Sequence, residues 1–235
     1  DLLNGPLRNK AFLHLTAAFI FAILAQAVFL GVLVYYLTYN LQLNNMQVSM
    51  VNIIMWIVAL FWVFPINKWS IKYSKAKAWC ISMGIWFVCM IVFPLFILKP
   101  KSAIGPVIMT SILVVGLNAL YQVIYAMISD CVEVDCLINK VRKDGIFYSM
   151  ATVSQKIAAI GVSILGNCMD KIGYNGQLAT QSLATQHGIA LLFIGVTCMC
   201  LLLSIICMMT NPLTKKRYQD VLEALKKKEQ GQEIN

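Results

Sequence analysis

The chain has 235 residues, 60% of them hydrophobic and only 12% charged, with a formal net charge of +9. Soluble domains carry about a quarter charged residues, so this composition excludes a soluble globular protein and points to the membrane class. A basic balance also suits nucleic acid, but no basic-aromatic module accompanies it, and anionic lipid is the expected partner.

A membrane span needs about 20 apolar residues to cross about 30 Å of hydrocarbon. Six segments reach that length in chain order: 11–37, 46–66, 78–98, 104–128, 146–168 and 188–209. They are continuous apolar runs without alternation, which predicts helices rather than barrel strands. The chain opens on the polar DLLNGPLRNK and its first apolar run is long enough to span, so no secretory signal is expected. Asn44 and Asn45 separate the first two runs, Lys99-Pro100-Lys101 the third and fourth, and Pro212 stops the last. Trp69 and Trp79 flank one basic connection, and Tyr35, Tyr36 and Tyr39 lie at the opposite ends of spans, as interfacial anchors do. Residues 1–210 are therefore expected to form a six-helix bundle, and 211–235 a basic amphipathic tail on the cytoplasmic surface. A plain solvated tail is the alternative.

Basic residues sort by side. Arg8 and Lys10, the four lysines between Lys68 and Lys77, Lys140, Arg142 and Lys143, and six residues of the tail share one side. The other side has Lys99, Lys101 and Lys171. By the positive-inside rule both termini are cytoplasmic, in a multi-pass cell-membrane protein. Five of the eight cysteines, Cys80, Cys89, Cys198, Cys200 and Cys207, fall in spans, where cysteine behaves as a small hydrophobe. His14 and His187 stand at opposite membrane faces, which leaves no zinc site to assemble. No H-E-x-x-H and no nucleophile–histidine pair at one depth occurs. An enzyme is not expected, nor any catalytic residue, metal or cofactor.

The fifth span carries a lone lysine. Steps of four and three from Gly145 give Ser149, Thr152, Lys156, Ala159, Ser163 and Gly166, all small or polar. The stripe one position on, Ile146, Met150, Val153, Ile157, Ile160 and Ile164, is apolar. The first stripe is expected to face inward and the second to face lipid. Lys156 lies about 16 Å past Gly145 along the axis, a costly depth for an ammonium. Either it lines a transport pathway, paired with a carboxylate or a ligand, or it bonds helix carbonyls to hold a bundle together. On the fourth span Asn118, Gln122, Tyr125 and Ser129 share a stripe beside Tyr121. Amides and rings suit a sugar, and interhelical hydrogen bonding explains them equally. Gln26 on the first span reads as structural.

Seven charges fall between Asp130 and Asp144. Asp144 precedes Gly145 and can cap the fifth helix. Asp130 and Glu133 come within reach of Arg142 across the turn, so the cluster can latch a cytoplasmic gate. A solvated loop is the plain alternative.

From Asp130 to Ser149 the residues resemble the signature of the glycoside–pentoside–hexuronide:cation symporter family of the major facilitator superfamily. Asp130, Val132, Glu133, Arg142, Asp144, Gly145 and Ser149 keep or approximate that signature, whereas Val134, Asp135, Cys136, Ile138, Asn139 and Lys140 depart from it. NKAFLHL at residues 9–15, IGYN with QSLATQHGIALLF, and NPLTKKRYQDVLEAL resemble other stretches of the family's C-terminal half. The resemblance implies an all-α membrane protein whose six transmembrane helices are the C-terminal bundle, helices seven to twelve. It implies sugar or glycoside symport with Na+ or H+ by alternating access, with Lys156 near joint sugar and cation sites. It also implies Thr152 facing the sugar, Tyr121 lining it, and the N-terminal six-helix half as partner. With the polar stripes, Asn118, Gln122, Tyr125 and Ser149 complete the candidate substrate set, and Asp130, Glu133, Arg142 and Asp144 the candidate gate. A transporter of another solute, a lipid or peptide, or a non-transporting scaffold fragment, are the alternatives.

Overall fold

The computed structural model describes residues 10–139, 144–211 and 223. Six long helices order the described residues: α1 (Lys10–Asn40), α2 (Asn45–Lys72), α3 (Lys75–Ile97), α4 (Ile104–Asn139), α5 (Asp144–Lys171) and α6 (Leu183–Met209). Three of them begin at a side-chain cap. Asn44 and Gln47 form a reciprocal capping box at α2. Ser74 accepts from the Lys77 amide at α3, and Ser182 from the Thr185 amide at α6. α1, α3 and α6 each contain a π-helical stretch, at Tyr36–Asn40, Phe93–Ile97 and Leu191–Val196.

Five of these helices are long and apolar enough to cross a membrane. The five are counted over the described residues; α5 is 28 residues long, and its side chains at 157–162 lie outside them. With the described residues otherwise turns and loops, the chain is all-α.

α1 is the centre of the bundle, packed on α6, α5 and α4, while α4 packs in turn on α3 and α2, and α3 touches α6. The core is aromatic at its middle. Phe29 stacks on Phe193 at 5.4 Å and meets Trp86 edge-on at 5.6 Å. Trp86 lies so close to α4 that a Cβ on Gly116 would stand 2.5 Å from its ring.

Three expectations change here. Trp79 is not an interfacial anchor: it is fully buried, and its indole N–H donates to Ser204 Oγ, whose hydroxyl donates to the Ala18 carbonyl. Nor does Tyr36 sit at an interface, since it is buried and stacked on Phe193 at 4.6 Å. The supposed connection from Asp130 to Asp144 is helical through Asn139, with no proline or glycine there to stop the helix. The tail beyond Asn211, apart from Glu223, lies outside the described residues.

Candidate functional site

The site builds from the polar faces of α4 and α5. On α5 the described residues buried against the bundle are Phe147, Ala151 and Ser154, with Met169 near the far end. Phe147 meets Phe12 of α1 edge-on at 4.7 Å. The stripe of Gly145, Ser149, Thr152, Lys156, Ser163 and Gly166 lies on the opposite side of the helix and is exposed throughout its described positions. The stripe expected to face inward therefore does not pack against the described helices. It is the face that avoids the bundle, because a period of 3.6 separates three stripes and the most tightly packed is a third one. The apolar stripe lies on a flank, with Ile146 and Met150 half-buried and Val153 and Ile164 exposed. The side chains at 157–162 lie outside the described residues.

Lys156 is exposed and forms no hydrogen bond or ion pair with any described residue. Ser149 Oγ donates to the Ile146 carbonyl at 2.9 Å, and Thr152 Oγ1 to the Tyr148 carbonyl at 3.1 Å. Both hydroxyls keep lone pairs on the open face.

α4 divides its polar residues between two neighbours. Asn118 Nδ2 donates to the Ala59 carbonyl, and one turn later Gln122 Nε2 donates to the Val63 carbonyl at 3.3 Å. Two amides at four-residue spacing thereby tie α4 to two carbonyls of α2. Gln122 Oε1 is buried without a hydrogen-bond partner among the described residues. On the other flank Tyr121, a residue 48% exposed, donates from Oη to Gln26 Oε1 of α1 at 2.9 Å. Tyr125 Oη accepts from Gln155 Nε2 of α5 at 2.8 Å. Its ring is near-parallel to that of Tyr148, at 6.4 Å and 16°, and edge-on to Phe19 of α1 at 6.4 Å. Tyr121, Tyr125 and Tyr148 thus continue the polar stripe of α5 as an aromatic wall.

The charge cluster lies partly within the described residues. Asp130 is buried, and its carboxylate pairs with Lys75 at the start of α3, Nζ to Oδ1 2.6 Å. Glu133 and Asp144 lie on α4 and at the first turn of α5, and both make further interactions. Asp135, which the sequence did not single out, is 3% exposed and also engaged. Arg142, the proposed partner of Asp130 and Glu133, lies outside the described residues.

Sequence reasoning missed Gln155, Tyr148 and Lys75. Gln155 stood beside the lysine but off its stripe, and Tyr148 looked like one more aromatic at a span end. Lys75 was absorbed into the count of topological charge. No group of histidine, cysteine, aspartate and glutamate suited to a metal occurs among the described residues.

The family model described as MFS/sugar transport protein matches residues 2–215. A protein of Synechocystis sp. described as an uncharacterized symporter is 22% identical over 240 residues, covering 96% of this chain and 42% of that relative. The chain spans about two-fifths of the length of the curated relative it matches.

Proposed function

The chain belongs to the MFS/sugar transport protein family, and we propose that it is the C-terminal six-helix half of a multi-pass sugar:cation symporter, a transporter rather than an enzyme. α5 is then a sixth span whose polar face meets water and a second bundle rather than lipid. The observation that carries this reading is the exposed stripe of Ser149, Thr152 and Lys156, set opposite the face that packs into the bundle. A cation, two hydroxyls and a tyrosine wall at membrane depth have no use toward lipid. They suit a watered pathway between two halves.

In this mechanism the sugar's hydroxyls donate to the free lone pairs of Thr152, Ser149 and Tyr121, whose own protons go to protein oxygens, and the tyrosine wall meets its C–H face. Lys156 answers to carboxylates of the N-terminal half, competing with Na+ or H+ for them, which couples the cation to the sugar. One bundle rocks against the other around this midplane site. The Lys75–Asp130 pair, with Glu133 and Asp144 near it in sequence, holds the cytoplasmic ends of the helices during that motion, and both termini face the cytoplasm of a cell membrane.

One observation favours a second reading, a transporter of another solute. Asn118 and Gln122 spend their amide donors on α2 backbone, which leaves fewer groups for a sugar. The deciding experiment is uptake by the complete transporter across a panel of sugars, under an imposed Na+ or H+ gradient. Sugar uptake that follows the gradient and is lost in Lys156→Ala supports the symporter. Uptake unchanged in that variant removes the coupling role.

A further inference from the structure

We propose that Gln155 is a positioning residue: its hydrogen bond to Tyr125 fixes the rotation of α5 about its own axis and so aims Lys156 into the pathway. The inference rests on the reading of Lys156 as a pathway residue.

A helix held by large interlocking side chains resists rotation, because each would have to climb out of its hole. α5 has little of this in its first half. Its described buried positions there are one phenylalanine, Phe147, and two small residues, Ala151 and Ser154. Ala151 and Ser154 allow close approach to α1 but give no lever against turning. Ser149, Thr152 and Ser154 spend their hydroxyls on carbonyls of α5 itself, so they do not tie it to a neighbour.

Gln155 supplies the lever. It projects from the flank of α5, between the buried face and the exposed stripe, and reaches α4 at 2.8 Å. Its partner is itself braced: the Tyr125 ring is held edge-on by Phe19 and flanked by Tyr148 from α5. Tyr148 returns the contact two turns earlier on α5, so α4 grips α5 at two points. Gln155 and Lys156 are consecutive, about 100° apart around the helix. With the first tethered, the second cannot swing toward α1 or toward lipid. Breaking the tether lets the ammonium sample orientations away from the aqueous face.

The test is the acylation rate of Lys156 in the detergent-solubilised complete transporter, using a sulfonated N-hydroxysuccinimide ester read by peptide mass spectrometry. Lys99 and Lys101, exposed in a loop, serve as internal references. Gln155→Leu and Tyr125→Phe should each slow Lys156 relative to them by about three- to tenfold, the shift that one interhelical hydrogen bond supports. The double variant should be no slower than either, because both remove one bond. Tyr125→Phe deletes a single oxygen, so it reports even where Gln155→Leu does not fold. An unchanged labelling ratio in both single variants, including one accompanied by a lower melting temperature, overturns the inference and leaves the symporter reading in place. A wild-type Lys156 that does not react at all also overturns the inference, since it is then not held in an aqueous pathway, and the symporter reading stands or falls by the uptake experiment.

Discussion

Lys75 Nζ stands 2.6 Å from Asp130 Oδ1, and the same ammonium donates to the Ala126 carbonyl one turn earlier on α4 at 3.0 Å. One lysine at the first turn of α3 therefore holds a side chain and a backbone carbonyl of its neighbour. Asp130→Ala removes the carboxylate that this partly buried ammonium pairs with. Removal of one member of a fully buried pair costs about 3–5 kcal/mol. Lys75 is 32% exposed, so water recovers part of that, and a loss of about 1–3 kcal/mol is expected. A thermal melt in detergent measures it. The exchanged pair, Lys75→Asp with Asp130→Lys, should recover part of the loss, and the double-mutant cycle isolates the coupling.

Lys156→Ala should behave in the opposite way. The side chain is exposed and has no partner among the described residues, so its removal should leave the melting temperature of the isolated protein within about 0.5 kcal/mol of wild type. Cation-driven uptake should nevertheless be lost. A residue that costs function without costing stability marks a site rather than a strut.

The contrast between these two lysines shows how far the sequence could be read. The spans were legible because an apolar run of membrane length has few other uses, and the observed helices differ from the expected ones mainly by running past their ends. The two stripes of α5 were legible as chemistry, since periodicity separates polar from apolar faces. Which stripe meets the bundle was not, because periodicity says nothing about where the neighbours are, and the packed face proved to be a third one through Phe147, Ala151 and Ser154. Lys75 was illegible for a similar reason: its partner is 55 residues away, and only packing of α3 on α4 brings them together. The expectation that Thr152, Tyr121 and Lys156 act together came from the resemblance to a family, since spacing alone left it open.

Asn118 separates a binding residue from a structural one. Its amide donates to the Ala59 carbonyl, a bond of about 0.6–1.7 kcal/mol between membrane helices. Asn118→Ala should lower the stability by about that much, read as a lower melting temperature, and leave the KM for sugar uptake near wild type. Thr152→Ala should do the reverse, since its hydroxyl bonds only its own helix and faces the open side. If Asn118→Ala raises the KM as much as Thr152→Ala, Asn118 belongs to the substrate set after all.

Two glycines test the close approach of helices. A Cβ on Gly116 meets the Trp86 ring at 2.5 Å, and one on Gly31 meets Leu165 Cδ2 at 2.6 Å. The distances are alike but the neighbours are not. Trp86 is fully buried and fixed against Phe29, whereas the end of a leucine can change rotamer. Gly116→Ala should cost about 1–3 kcal/mol through overpacking. Gly31→Ala should cost less than 1 kcal/mol or be neutral. Melting temperatures of the two variants decide the order.

The loop before α6 makes a pH prediction at the other end of the bundle. Tyr174 lies edge-on to Tyr35 at 5.1 Å and to Tyr39 at 5.6 Å, and its hydroxyl is 3.3 Å from that of Tyr39. Burial, and then the hydrogen bond with Tyr39, push its pKa up to about 12, because both disfavour the phenolate. The unfolded chain releases this proton near pH 10 and the folded one about two units later. Between those values the unfolded state binds fewer protons, so stability falls as pH rises. The contribution is fully present below pH 10 and is lost through about pH 12. An ultraviolet difference titration of phenolate, compared between wild type and Tyr174→Phe, should place the missing step near pH 12. In Tyr39→Phe the step should move down without reaching the ordinary tyrosine value, since burial, the larger cause, remains. A step at the ordinary value in the wild type would mean that the loop does not close over α1 as described.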